Sequence, residues 1–145
     1  MDYTALLNEI NAKCSAALVA SRDTQTIANT VNVGRTKLTD VSPATVRGVL
    51  YALGKLPGIV ARANACRANT DTTAAALACQ TLYDLGMADQ PIPMGTPAIH
   101  AAVSADLSAM VTAGLLSASD EATVLALATV PDPVSELDVR IAIGG

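Results

Sequence analysis

The sequence predicts an all-α fold, a compact bundle of six or seven short helices with a proline-rich loop, forming a single helical domain over residues 1–145. Three observations predict it. Apolar side chains recur at three- and four-residue spacing along most of the chain. Helix-capping residues, two of them followed directly by Pro, precede these stripes, and Gly follows several of them. No stretch sustains the apolar–polar alternation of a half-buried strand, and there is no repeat period. The length of 145 residues suits one domain that buries about two-thirds of the surface its unfolded form exposes.

The elements follow in chain order. Leu6, Leu7, Ile10 and Cys14 form the first stripe, with Asp2 or Thr4 as candidate caps and residues 16–20 as a continuation. Asp23 caps a short helix over 24–32 that carries Ile27, Ala28 and Val31. Residues 33–39 (VNVGRTKLT in context) are β-branched and polar and read as a connector with extended character. Ser42-Pro43 opens a helix lined by Val46, Val49, Leu50 and Leu53, ending at Gly54. After the break at Leu56-Pro57-Gly58, a helix over about 57–67 carries Ile59, Val60 and Ala63. Thr70 or Asp71 caps the next, with Ala74, Leu77, Ala78, Leu82 and Leu85 on its face and Gly86 as its C-terminal cap. Residues 86–97 (GMADQPIPMGTP) form the proline-rich loop. Thr96-Pro97 restarts a helix through Ile99, Val103, Leu107, Met110 and Val111 to Gly114. Ser117 with Asp120 makes a capping box for a helix carrying Val124, Leu125 and Ala128, which Pro131-Asp132-Pro133 stops. Ser135 with Asp138 caps a last helix, with Leu137 and Ile141 as its apolar positions.

The core these stripes build is light. Apolar residues make up 51% of the chain, yet there is no Trp and no Phe, and only Tyr3, Tyr51 and Tyr83 are aromatic. Ala favours helix but removes little surface from water, and the return is about 25 cal/mol per Å². Thin, closely packed helices are expected, with further burial against a partner.

Charge and cysteine usage exclude several classes. The net charge of −4 gives no basic face for phosphate, so no nucleic-acid partner is expected. Arg47, Lys55, Arg62 and Arg67 make the middle of the chain locally basic, which reads as a solvated helix face. Cys14, Cys66 and Cys79 are odd in number and widely spaced, the pattern of buried free thiols rather than disulfides or a zinc site. The acidic, polar start MDYTALLNEI does not read as a signal peptide, and no apolar run is long enough to span a bilayer, so no membrane partner is expected.

Chemistry is missing in the same itemised way. His100, the single histidine, lies in an apolar setting and reads as a helix residue rather than half of a nucleophile pair. Asp120, Glu121, Glu136 and Asp138 sit at helix starts, where capping explains them. There is no G-x-S-x-G elbow and no phosphate-cradling glycine loop. No catalytic, cofactor-binding or metal-ligating residue is assigned, and no cofactor or small-molecule substrate is expected. The turn at 113–117 has the outline of a helix-turn-helix, but its second helix opens on two acids and carries no Arg or Lys. The most exposed apolar side chains are expected in the proline-rich loop. There Met87, Ile92 and Met94 are candidate protein-interface residues, with folding back over their own core as the equal alternative.

Residues 16–38 (AALVASRDTQTIANTVNVGRTKL) and 114–143 (GLLSASDEATVLALATVPDPVSELDVRIAI) resemble a group of small, Ala-rich helical proteins encoded by tailed bacteriophages. The shared features are an opening LV-x-x-R-D-x-x-x-I-A helix pair and a closing AG-(L/V)-L-(S/T)-x-x-(D/E) corner. The stretches cover roughly a third of the chain. The resemblance implies a non-enzymatic virion structural protein, a tail or tail-fibre-associated adaptor or assembly subunit. It would be made in the host cytoplasm, reside in the virion, and have other virion proteins as partners in many copies. A small soluble regulator or inhibitor that binds a host or phage protein is the second expectation.

Overall fold

The first turn of a helix leaves four backbone N–H groups without partners, and in this protein Ser, Thr and Asp side chains satisfy many of them. The computed structural model describes residues 1–144. Asp2 accepts from Ala5 N at 3.0 Å to open α1 (Tyr3–Lys13), and Ser15 accepts from Leu18 N at 3.1 Å to open α2 (Ala16–Ser21). Asp23 does the same for α3 (Thr24–Asn32), which leads into β1 (Thr36–Leu38). The next two helices, α4 (Pro43–Ala52) and α5 (Leu56–Arg67), start on Pro-containing first turns instead. Thr73 caps α6 (Ala74–Met87), and α7 (Pro97–Thr112) again starts on Pro. Complete capping boxes, Ser117 with Asp120 and Ser135 with Asp138, open α8 (Ala118–Ala126) and α9 (Glu136–Ala142). Between those two helices lies β2 (Thr129–Pro131), paired antiparallel with β1.

The protein is therefore mostly helical, with nine helices and one two-stranded sheet among the described residues. One of the helices beyond the expected six or seven, and the small sheet, have local causes. Ser15 caps a new helix where a continuation of α1 was expected. Each strand is three residues long, too short for alternation to register in the sequence. A third difference concerns Gly86. It is helical, and α6 runs one residue past it. Gly114 behaves as expected: at φ +77° it ends α7 while Leu115 N donates back to Met110 O at 2.9 Å.

The buried side chains form two clusters, one in each of two units. One unit comprises Met1–Lys37 and the chain from Pro131 onward. In it α1, α3 and α9 pack together around Leu6, Ile10, Ile27, Val31 and Val139. The other comprises Leu38–Val130, where α4–α8 enclose Leu50, Ile59, Leu107 and Met110. The chain passes between the units twice, within the two paired strands. Small residues set the packing of α5 and α6: Ala63, Ala76, Ala78 and Cys79 are all buried, so the two helices approach closely. No polar or charged residue is buried among the described residues.

Capping makes part of the stability acid-labile. The backbone N–H of Ser117 holds the Asp120 carboxyl below its ordinary range, and that of Ser135 does so for Asp138. Asp23 and Asp71 are lowered by bonds from Thr26 and Thr73. Each group has a folded pKa below its unfolded one, so the unfolded chain takes up protons first. The contribution is complete above the ordinary carboxylate value of about 4 and is lost as pH falls through the lowered values. Asp106, raised by burial, acts in the opposite sense. The urea midpoint is expected to fall as pH drops below about 4 and through the lowered values. An Asp120→Asn, Asp138→Asn double variant, which removes the two titrating groups, should show a shallower fall. Parallel curves for the two proteins would contradict the assignment.

Candidate partner-docking groove

In the 38–130 unit, α4, α5 and α6 leave a groove of about 160 Å³. Val46 and Leu50 of α4, Ile59 of α5 and Leu82 of α6 supply apolar walls. Leu56, Val60, Tyr83 and Gly86 also line it, as do Arg47 and Met87, the latter 58% exposed. The Arg47 stem crosses the Cα of Gly86, where even an added Cβ would lie 3.7 Å from Arg47 Cγ. An apolar recess of this size takes up one aliphatic or aromatic group.

Charge distinguishes Arg47 from the other cations of the basic middle segment. Lys55 Nζ lies 3.8 Å from Asp120, and Arg62 Nη1 donates to Asp71 at 2.7 Å. Arg67 pairs with Asp84 and lies over the Tyr83 ring, 4.7 Å from its centroid. Among the described residues Arg47 has no ion-pair partner, so the groove carries one uncompensated positive charge beside apolar walls.

The three candidate interface residues separate. Met87 lines the groove and is exposed, whereas Ile92 and Met94 are each 3% exposed and belong to the core of their unit. The expected exposure holds for Met87, while for Ile92 and Met94 the alternative of folding back over the core holds, and the loop's own hydrogen bonding is the reason. Ile92 exchanges both backbone bonds with Val41, donating at 2.8 Å and accepting at 3.0 Å. With its backbone satisfied, the loop folds back and buries Ile92 and Met94. Asp40 Oδ1 accepts from Gly95 N at 3.0 Å and closes the same turn.

A Cβ at Gly95 would sit 2.9 Å from that carboxylate oxygen. Gly95→Ala is therefore expected to expel the Asp40 carboxylate and cost about 1 kcal/mol, the worth of one charge-assisted bond after relaxation. Asp40→Ala should cost a similar amount, and the double variant little more than either single. Additive losses in urea unfolding would show that the bond is not shared.

No family model, curated protein or solved structure matches the chain.

His100 is half-buried in the first turn of α7. Cys14, Cys66 and Cys79 are buried free thiols, and burial pushes Cys79 up to about 11, which keeps it protonated at neutral pH. Among the described residues no three His, Cys, Asp or Glu side chains gather as metal ligands, and no helix is long and apolar enough to cross a membrane.

Apart from Met87, the exposed apolar positions are not those the sequence suggests. In α9 the inward residue is Val139, while Leu137 and Ile141, the expected apolar stripe, are 60% and 47% exposed. Leu77 of α6 is likewise 53% exposed. Positions 137 and 141 are one turn apart and share a face, so periodicity identified the stripe but not the side on which it lies.

Proposed function

We propose that this chain is a non-enzymatic virion protein of a tailed bacteriophage, an adaptor or assembly subunit associated with the tail or tail fibre. The observation that carries the reading is the resemblance of residues 16–38 and 114–143 to phage-encoded helical proteins. The two stretches are far apart in sequence, yet α3 of the first packs on α9 of the second, and β1 of the first pairs with β2 of the second. Their motif residues form joints. Arg22 ends α2 in the left-handed region at φ 55° and Asp23 caps α3. Gly114 and the Ser117–Asp120 box turn α7 into α8. These are the positions a shared helical framework needs to keep. Exposed apolar side chains at Met87, Leu137 and Ile141 supply surface for neighbouring virion proteins.

Mass spectrometry of purified particles tests the reading. The protein is expected in stoichiometric amount with known virion proteins after gradient purification. Its absence from particles of a phage that expresses it during infection would overturn the proposal and favour the soluble regulator.

A further inference from the structure

We infer that the groove between α4, α5 and α6 binds a small amphiphilic carboxylate, a monoanion whose apolar part has about six carbons. The recess is lined wholly by residues of the 38–130 unit and holds about 160 Å³. An apolar cavity of about 150 Å³ takes up benzene, so the volume sets the size of the apolar part. The walls formed by Val46, Leu50, Ile59 and Leu82 offer that part no hydrogen bond. Gly86 leaves further space open beside them. It is helical, and outside its own helix an added Cβ would meet only Arg47 Cγ, at 3.7 Å. The protein's own packing therefore does not demand a glycine there, although Ala favours helix more strongly.

Charge selects the head group. Arg47 is the one charged residue that lines the groove, and its guanidinium has no ion-pair partner among the described residues. The charges next to the lining residues are already matched: Lys55 lies by Asp120, Arg62 pairs with Asp71, and Arg67 pairs with Asp84. Asp89, two residues past Met87, is exposed and does not line the groove. A guanidinium presents paired N–H donors that match a carboxylate. Apolar walls with one placed polar group are the usual make-up of a small-molecule site. A protein partner fits less well, because a stable protein interface buries on the order of 1,000 Å² and this recess accepts a single group. The net charge of −4 makes the protein as a whole attract cations, so a preference for anions in the groove must come from Arg47. The inference rests on the groove alone and does not depend on a virion role.

Amide chemical shifts of the full chain, titrated with hexanoate at neutral pH and fixed ionic strength, are the test. Shifts are expected at Val46, Leu50, Ile59, Leu82 and Gly86, with a dissociation constant between about 0.1 mM and about 3 mM. Acetate lacks the chain and hexylammonium reverses the charge; each should bind at least about tenfold more weakly. Hexanol should bind about threefold more weakly than hexanoate. Arg47→Gln should bring hexanoate down to the level of hexanol and leave hexanol unchanged, and Arg47→Lys should recover most of the difference. Asp89→Asn should not weaken hexanoate. Arg47 is only half-buried, and circular dichroism checks that its variants are folded. The absence of localised shifts up to about 10 mM hexanoate overturns the proposal. Equal binding of hexanol and hexanoate by the wild type does so too, as does an unchanged hexanoate constant in Arg47→Gln. A capped Ala-Leu-Glu-Ala peptide that shifts the groove signals where hexanoate does not would also overturn it, and would assign the groove to a protein partner.

Discussion

Leu107→Ala is expected to lower the unfolding free energy by about 2–5 kcal/mol, toward the upper end of that range. Leu107 has no exposed surface, and it lies in the middle of α7 between the equally inward-facing Val103 and Met110. The cost of such a truncation depends on how far the surroundings collapse into the space left behind. Here they have little to offer. Ala63, Ala78, Cys79 and Ala128 belong to the same buried cluster, and short side chains have no reach with which to fill a void. Collapse would have to come from the larger members of the cluster, Met94 and Met110 above all, or from movement of helices that are held by their own hydrogen bonds. A domain of this size is stable by roughly 5–15 kcal/mol, so the loss is a large share of the total. Leu77→Ala on the exposed face of α6 is the matched control, with an expected change within about 0.5 kcal/mol. Urea unfolding followed by circular dichroism measures both. A Leu107→Ala loss below about 1 kcal/mol would mean that the light core repacks freely.

The same contrast between reach and position separates what could be read from the sequence and what could not. Helix starts were legible because capping is local. The Ser117–Asp120 and Ser135–Asp138 boxes and Asp23 act within one turn of themselves, and Pro43 and Pro97 open their helices by position, without a side-chain cap bond from Ser42 or Thr96. Ser15 uses the same chemistry, but the apolar run after it also suits a continuing helix, and only the formed cap decides between them. Burial depends on distant partners and was less legible. Ile92 and Met94 are inside because Val41, some fifty residues earlier, supplies a bridge. Leu137 and Ile141 are outside because Val139 meets α1 and α3 instead. The groove was invisible for a further reason: three separate helices build it from Val, Leu and Ile, residue types that any core uses. Its one informative residue, Arg47, shows its character only after Lys55, Arg62 and Arg67 have found partners and it has not.

Arg35→Met is expected to destabilise the unit formed by α1, α3 and α9 by about 1.5–3 kcal/mol, the range for hydrogen bonds to charged groups after allowance for partial exposure. The Arg35 side chain is 16% exposed. Its Nε donates to Glu9 Oε2 at 3.1 Å, and its Nη1 donates to both the carboxylate and the backbone carbonyl of Asp132. One guanidinium thus joins α1 to the segment that follows β2, and a flexible ammonium has no equivalent fork. Arg35→Lys should therefore recover only part of the loss. The loss is less than the sum of the bonds removed, because Glu9 keeps Lys13 at 2.8 Å and Asp132 has Lys37 at 4.0 Å. Acid separates ion pairing from packing of the stem. The Lys13 bond, followed by Arg35, holds the Glu9 carboxyl below its ordinary value of 4.5. That contribution is complete above pH 4.5 and is lost as pH falls through the lowered value. The stability gap between wild type and Arg35→Met should therefore narrow as pH falls below 4.5 and through the lowered Glu9 value. A gap of constant size would assign Arg35's contribution to its aliphatic stem, since packing does not titrate.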